Sequence, residues 1–86
     1  MYNKVKKCLE SMGYDFVECE SMELSIGITL SNGFWLNKSY HKEVYIEISE
    51  SGDIDTWDYK SGKHEYTIKK EEIYIMMFKL AWVLNN

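Results

Sequence analysis

The side chains best suited to catalysis are those of Ser39, Tyr40 and His41, together with His64. A nucleophile needs a base beside it and a third group that holds the base in place. Ser39, Tyr40 and His41 supply suitable side chains, but they stand in a polar segment without a motif that fixes their geometry. A solvated histidine is the ordinary interpretation there. We therefore predict no catalytic residue and a chain that is not an enzyme.

Cysteine and histidine do not have the spacing of a metal site. Cys8 and Cys19 form no CxxC pair, and His41 and His64 add no second pair of ligands. Each cysteine instead belongs to an apolar stripe, which is typical of a buried, reduced thiol. We expect no metal and no disulfide.

Glycine-containing segments give no sign of a cofactor. Acidic residues surround Gly52 in segment 50–55, which resembles the start of a calcium loop, but Trp57 and Tyr59 follow where oxygen ligands would be needed. The chain contains neither GxGxxG nor GxxxxGK[ST], so no phosphate-binding loop is predicted. We expect no cofactor.

The distribution of charge is more informative than any motif. All ten basic residues are lysine and the net charge is −4. Nucleic-acid binding is disfavoured, because it depends on neutralised phosphates and on the bidentate geometry of arginine. Segments 15–23 and 43–58 hold four and six acidic residues and no basic residue. An acidic chain of this kind favours a basic protein partner.

Apolar periodicity predicts an α+β fold. Residues 3–12 carry the stripe of an amphipathic helix that ends at Gly13, and a second helix begins near Lys69 or Lys70. Alternating segments between them predict a four- or five-stranded antiparallel sheet, with a short last strand over 64–68. We expect a single domain over 1–86: a two-layer sandwich with an N-terminal helix, a long C-terminal helix, both helices on one sheet face and the other face open.

Three turns set the predicted strand register. We expect hairpins at Ser21-Met22, at Asn32-Gly33 as a type I′ turn, and at Ser51-Gly52. The predicted pairs are Val17 with Ile26, Phe16 with Gly27, Leu30 with Trp35, Val44 with Tyr59 and Ile46 with Trp57. In this register Asp55 is the one charge directed into the core, so we expect it near a sheet edge.

The open sheet face is the first candidate binding surface. The predicted register gives it carboxylates and aromatic rings together, at Phe16, Glu18, Glu20, Tyr45, Glu47 and Asp58. Complementary charge would steer a basic partner and the rings would supply binding energy. The alternative is that solvated strands simply carry charge, which also protects sheet edges from aggregation.

The last helix carries the second candidate surface. Beside its core stripe lies a second apolar stripe formed by Tyr74, Ile75, Phe78 and Trp82. These residues either pack against the first helix or form a dimer or partner surface.

The longest apolar run, 73–78, ends at Lys79 and is too short to span a bilayer, so we expect a cytoplasmic protein.

The amino-acid composition resembles that of proteins encoded by AT-rich bacterial or phage genomes. Size, acidity and lack of catalytic motifs resemble small phage inhibitors of bacterial defence nucleases. We therefore hypothesise a non-enzymatic protein-binding module, an inhibitor or accessory protein that acts on a basic partner. The alternative is a small ligand- or nucleic-acid-binding domain built on residues 34–42, with Trp35, Tyr40 and His41 beside Lys38 and Lys42.

Overall fold

The computed structural model describes residues 1–24, 27–36 and 43–85, with side chains up to residue 82. Its elements follow the chain as α1 (Tyr2–Ser11), β1 (Val17–Cys19), β2 (Met22–Glu23), β3 (Thr29–Leu30), β4 (Gly33–Leu36), β5 (Val44–Ile48), β6 (Ile54–Asp58), β7 (His64–Ile68), a 3-10 helix (Lys70–Ile75) and α2 (Met76–Asn85). Five strands form one antiparallel sheet in the order β1-β4-β5-β6-β7, and β2 pairs with β3 in a separate two-stranded ribbon. The predicted α+β fold with a five-stranded antiparallel sheet and two helices is confirmed.

One face of the sheet, called the first face, belongs to the larger core. Its buried strand residues are Phe34, Leu36, Val44, Ile46, Ile48, Ile54 and Ile68. Val5 and Leu9 of α1 and Met76 and Leu80 of α2 belong to the same buried cluster. Burial of these side chains is the main force that holds the helices to the strands.

The opposite face, called the second face, is covered by the β2–β3 ribbon. Leu24 and Leu30 from the ribbon are buried with Tyr45, and Trp35 and Trp57 pack against them. The prediction that this face is open is wrong. Its central residues are aromatic, and exposing rings of that size to water would be costly.

The Ser21-Met22 hairpin is also wrong. Val17 lies opposite Trp35 and Cys19 lies opposite Gly33, so β1 pairs with β4 and not with the segment that follows it. The short strand after Ser21 pairs with β3 instead. Burial of Leu24 and Leu30 of the ribbon against Tyr45 of the sheet outweighs the preference for pairing neighbouring segments, and the Glu20–Glu23 repulsion of the predicted register is avoided. The predicted partner of Val17, Ile26, lies outside the described residues.

Gly33 does not form the predicted type I′ turn. Such a turn needs positive φ at both central residues, but Gly33 is not among the positive-φ glycines and already belongs to β4. Leu30 therefore lies opposite Met22 rather than Trp35. An ideal Cβ at Gly33 would overlap the carbonyl oxygen of Ile46 and lie 2.9 Å from its carbon, so glycine is required by close backbone approach.

The hairpin between β5 and β6 exists, but its register differs by one residue. Ile46 lies opposite Thr56, and Trp57 lies opposite Tyr45 on the second face. The reason is the length of the turn: Ser49 N–H donates to Asp53 O at 3.0 Å, which leaves a three-residue loop that ends at Gly52 with φ 91°. Three-residue hairpin loops characteristically place glycine in this conformation. The Ile46–Trp57 and Val44–Tyr59 pairs are wrong.

The helices begin and end close to the predicted residues. Gly13, with φ 76°, follows the end of α1 as expected, although Met1 rather than Asn3 is the N-cap residue. The last helical segment begins at Lys70 in 3-10 geometry and continues as α2. Among the described residues, no helix is long and apolar enough to cross a bilayer.

Candidate functional site

The six residues predicted to share an acidic face are divided among three places. Glu18 lies opposite Phe34 in the sheet, so it points to the first face, whereas Glu47 lies opposite Asp55 on the second face. Asp58 ends β6 and accepts a hydrogen bond from Ser61 N–H at 3.0 Å within the following turn. The one-residue change in register separates Glu47 from Asp58, because neighbouring residues of a strand point to opposite faces.

The two aromatic rings predicted on that face are also separated. Tyr45 is fully buried, and its hydroxyl donates to Ser31 O at 2.6 Å, so the prediction that it is exposed is wrong. Phe16 is half-buried and meets Phe34 edge-to-face with ring centroids 5.3 Å apart. Phe16 therefore does not lie opposite Gly27.

Glu18 and Glu20 remain together in a cleft at the edge of the sheet. This cleft, called the edge cleft, has a volume of about 500 Å³ and is lined by Tyr2, Glu18, Cys19, Glu20 and Asn32. It lies beside β1, which is an outer strand of the five-stranded sheet.

Tyr2 and Glu18 are held in the edge cleft by the start of α1 and by β1. The Tyr2 ring stacks on Phe34 with centroids 4.6 Å apart. Because Phe34 lies opposite Glu18 across the strands, the Tyr2 hydroxyl reaches the carboxylate and donates to Oε1 at 2.5 Å. Lys6 Nζ, one turn further along α1, lies 3.3 Å from Oε2. Sequence, helix period and strand pairing together place a phenol and an ammonium on one carboxylate.

These contacts fix the protonation states of the cleft. The Tyr2 hydroxyl and then Lys6 lower the pKa of Glu18 below its usual value. Burial, and then the hydrogen bond to Glu18, raise the pKa of Tyr2 to about 12. Burial likewise raises the pKa of the Cys19 thiol. At neutral pH the cleft therefore presents the Glu18 carboxylate, a protonated phenol and a protonated thiol, a set that suits a cationic group.

Glu18 and Glu20 are both exposed and both line the edge cleft, but they differ in their contacts. The two carboxylates are two residues apart along the chain, and only Glu18 has an ion pair with a lysine of the described part. An arriving ammonium or guanidinium would meet Glu20 without having to displace Lys6.

A second polar cluster lies on the second face, where β5, β6 and β7 meet. Glu47 accepts hydrogen bonds from the Ser31 N–H and hydroxyl, both at 2.8 Å, and from Trp57 Nε1 at 3.3 Å. Asp55 lies directly opposite Glu47, and Thr67 Oγ1 donates to its Oδ1 at 2.6 Å. Separate donors thus stabilise the two adjacent carboxylates, and Asp55 lies one strand from the sheet edge.

His64 completes this second cluster but does not form a catalytic relay. Its Nε2 lies 3.1 Å from Asp55 Oδ1 and 3.0 Å from Thr67 Oγ1. In a nucleophilic triad the hydroxyl and the carboxylate contact different ring nitrogens. Here both contact the same nitrogen, so the contacts bind β7 to β6.

The second apolar stripe of the last helix is exposed. Tyr74, Phe78 and Trp82 are 77%, 78% and 52% exposed, and Met77 beside them is 47% exposed. Ile75 is half-buried. We call Tyr74, Met77, Phe78 and Trp82 the aromatic flank. Packing against the first helix, one of the two predicted explanations, does not bury these rings.

The alternative site over residues 34–42 is described only in part. Phe34 is fully buried in the larger core, and Trp35 is half-buried with its ring 5.8 Å from that of Tyr59. Neither ring is presented for stacking on a base. Residues 37–42, which include Tyr40, His41, Lys38 and Lys42, lie outside the described residues.

Tyr2, Lys6 and Asn32 are the site residues that the sequence did not indicate. Each contributes only because β1 pairs with β4, a connection between segments far apart in the chain. In the part of the chain that the structure describes, no three His, Cys, Asp or Glu side chains are grouped to hold a metal.

Comparison with known proteins finds no family model, no curated protein and no solved structure that matches this chain.

Proposed function

We propose that this chain is a protein-binding module that recognises a basic protein through β1 and the edge cleft. The observation that carries the proposal is the pair Glu18 and Glu20 in a cleft of about 500 Å³ beside an outer strand. A cleft with carboxylates provides recognition of a cation, and an outer strand provides hydrogen-bonding groups for a partner backbone.

Binding by strand addition fits this geometry. An extended segment of the partner would lie beside β1 and place a lysine or arginine side chain in the edge cleft, next to Glu20. Exposed ion pairs contribute only about 0–1 kcal/mol each. Most of the affinity would therefore come from backbone hydrogen bonds and from burial of Val17, which is 46% exposed. The carboxylates would mainly select a basic segment and accelerate its approach.

The whole charge distribution favours the same partner. The chain has a net charge of −4, and segment 15–23, which contains β1, has no basic residue. A module that covers a basic nucleic-acid-binding surface would block it. We therefore propose the role of a non-enzymatic inhibitor or accessory protein, for example of a defence nuclease.

The proposal includes the predicted layering, with both helices on the first face. Residues of α1 and α2 share one buried cluster with the strand residues of that face, which supports this arrangement. Val17 of β1 is 46% exposed, which is consistent with access of a partner to this strand.

Binding of a basic peptide tests the proposed function. The probe is an extended synthetic peptide with lysine or arginine at every second position, measured by calorimetry and by stopped flow. Replacing Glu18 and Glu20 together with Gln should weaken binding about 5- to 30-fold, mostly through a slower on-rate. Amide exchange at Val17–Cys19 should slow when the peptide binds.

The matched control replaces Glu10 and Glu23 with Gln, since both side chains are exposed outside the edge cleft and the net charge changes equally. This control should bind almost as well as the unmodified chain. Equal weakening in both double variants, or unchanged exchange at β1, would contradict the proposed site.

A further inference from the structure

The aromatic flank is the largest exposed apolar feature of the described residues. Its three rings are four residues apart, with Tyr74 in the 3-10 helix and Phe78 and Trp82 in α2, and they retain 77%, 78% and 52% of their accessible surface. Side chains at a spacing of four lie above one another on an α-helix, so Phe78 and Trp82 form one stripe, and the exposed ring of Tyr74 precedes it in the 3-10 helix. The largest exposed apolar patch of a protein is often functional.

One end of the flank is held in place by the neighbouring strand. The Trp82 ring meets Tyr66 of β7 edge-to-face at 5.2 Å, and Lys79 Nζ lies 4.3 Å from the centre of the Tyr66 ring. Lys79 also donates to the Tyr66 hydroxyl at 3.2 Å. These contacts draw the only lysine of α2 to the side of the stripe, and they limit the rotamers of Trp82. A pre-ordered ring loses less conformational entropy on binding.

We propose that the aromatic flank binds the flank of a second copy of this chain, in a two-fold dimer with antiparallel helices. In sequence the flank is symmetric about Phe78, with one ring four residues before it and one ring four residues after it. A copy running in the opposite direction therefore places Phe78 against Phe78, and Tyr74 against Trp82. Self-complementarity of this kind is what a two-fold interface requires.

Charge favours a second copy over the basic partner of the edge cleft. The aromatic flank contains no charged residue, so it offers nothing to attract a basic protein, and two acidic copies can approach there without pairing carboxylates. The proposed edge cleft would select its partner by charge. The aromatic flank would select a second copy by its apolar surface alone.

The exposed area is consistent with a dimer of moderate affinity. Rings that bury roughly 150–250 Å² each, scaled by their exposed fractions, provide about 400 Å² per copy. A standard interface buries about 800 Å² per partner, so the rings supply about half of it, and Met77 and Ile75 border them. We expect dissociation constants of about 1–100 µM, the range of small interfaces.

The dimer would leave the proposed binding site accessible. Residues of α2 contact β7, whereas the edge cleft lies beside β1, and these strands are opposite edges of the sheet. The dimer does not depend on the proposed function, and loss of one interaction should leave the other unchanged.

Sedimentation velocity over a range of concentrations tests the dimer. The 10.2 kDa chain should approach twice that mass as its concentration rises to about 500 µM, several times the weakest affinity expected. Phe78→Glu should remain at the mass of one chain, because the two-fold axis brings two carboxylates together. Ile28→Ser is the matched control: Ile28 is an exposed apolar residue outside the flank, 39% exposed, and its loss should leave the dimer intact.

A charge-swap experiment tests the position of the axis. Phe78→Lys should also be monomeric, but an equimolar mixture of Phe78→Lys and Phe78→Glu should restore the dimer mass. Both variants should melt within about 4 °C of the unmodified chain when dilute, since an exposed side chain contributes little to folding. Any of three outcomes would overturn the proposal: a single-chain mass for the unmodified protein at about 500 µM, a dimer that survives Phe78→Glu, or a mixture of the two variants that stays monomeric.

Discussion

Glu18 and Glu20 differ in what surrounds them, although they are two residues apart. Glu18 accepts the Tyr2 hydroxyl and faces Lys6 within its own molecule, and these contacts keep its pKa low. Glu20 is also exposed and lines the edge cleft, and it has no ion pair with a lysine among the described residues. Glu18 therefore joins α1 to β1, and under the proposed function Glu20 is the carboxylate that a cation could approach without displacing Lys6. Removing Glu20 alone should affect binding more than folding.

Gly33 is required by contact rather than by a turn. A side chain there would overlap the Ile46 carbonyl, so Gly33→Asn should destabilise the protein by at least about 2 kcal/mol, with thermal unfolding about 8–16 °C lower. Gly13→Asn is the matched control, because φ is 76° at Gly13, no atom lies within 4 Å of an ideal Cβ, and asparagine tolerates this conformation. Calorimetry measures both changes. If asparagine were equally well tolerated at the two positions, Gly33 would belong to a turn after all.

Among the elements, the hairpin of β5 and β6 determines which residues enter the larger core. Its three-residue loop places Ile54 opposite Ile48 on the first face and Trp57 opposite Tyr45 on the second. A two-residue turn at the same place would exchange the two faces of β6. The loop length therefore decides the position of every side chain in this strand.

Truncation of Ile54 distinguishes the two registers. Ile54 is fully buried, so Ile54→Ala should cost about 2–5 kcal/mol in the free energy of unfolding. In the register expected from the sequence the same side chain would face solvent, and the cost would be about 0.5 kcal/mol. Urea denaturation measures the difference, and Ile28→Ala serves as the control for an isoleucine that is 39% exposed. If Ile54→Ala lowered the free energy of unfolding by less than about 1 kcal/mol, the three-residue loop would be contradicted and the predicted two-residue turn supported.

Sequence patterns predicted the elements of this fold much better than their pairing. Helical period and strand alternation are local properties of the sequence. They correctly predicted both helices and the last strand, His64–Ile68. The pairing of β1 with β4 depends on which distant apolar residues are buried together, and no local signal reports that. The prediction for Asp55 showed that something was wrong with the pairing, because the predicted register directed its charged side chain into the core. In the observed register Asp55 contacts Thr67 and His64 instead.

The candidate sites divide in the same way. Tyr74, Phe78 and Trp82 belong to one continuous helical segment, 3-10 up to Ile75 and α-helical from Met76, so their proximity could be predicted from spacing alone, and their exposure could not. The acidic face required the correct register of three strands, and its six residues were separated when that register changed. Glu18 and Glu20 stayed together because they belong to one segment. A site within one element is thus more predictable than a site assembled across a sheet.

At the scale of the whole molecule, a few polar contacts join segments that the cores alone do not connect. Asp53, in the loop between β5 and β6, accepts the Lys70 N–H at 3.1 Å and lies 3.5 Å from Lys69 Nζ at the start of the 3-10 helix. Tyr2 and Glu18 join α1 to β1. Both contacts depend on a particular protonation state. A change in pH should therefore weaken these contacts before it disrupts the packing of the cores.

The free energy of unfolding should therefore be highest at intermediate pH. The Lys70 N–H and then Lys69 lower the pKa of Asp53, and Tyr2 and Lys6 lower that of Glu18, so their contributions are present above the ordinary values of 3.8 and 4.5 and are lost as pH falls through the lowered values. Tyr2 has the opposite sign. Its pKa is raised from 10.0 to about 12, so its contribution is complete below pH 10.0 and is lost as pH rises through about 12.

Urea denaturation across this range, repeated with two variants, separates the two ends of the profile. Asp53→Asn should lower stability at pH 7 and flatten the decline below about pH 4, because a carboxylate that no longer ionises cannot lose its contacts by protonation. Tyr2→Phe should flatten part of the decline above pH 10 and leave the rest, since burial also raises the pKa of Tyr45. Tyr2→Phe should in addition raise the pKa of Glu18, which carboxyl carbon chemical shifts report directly. If Tyr2→Phe left that pKa unchanged, the phenol would not be the group that holds Glu18 ionised, and Lys6 would have to account for the lowered value.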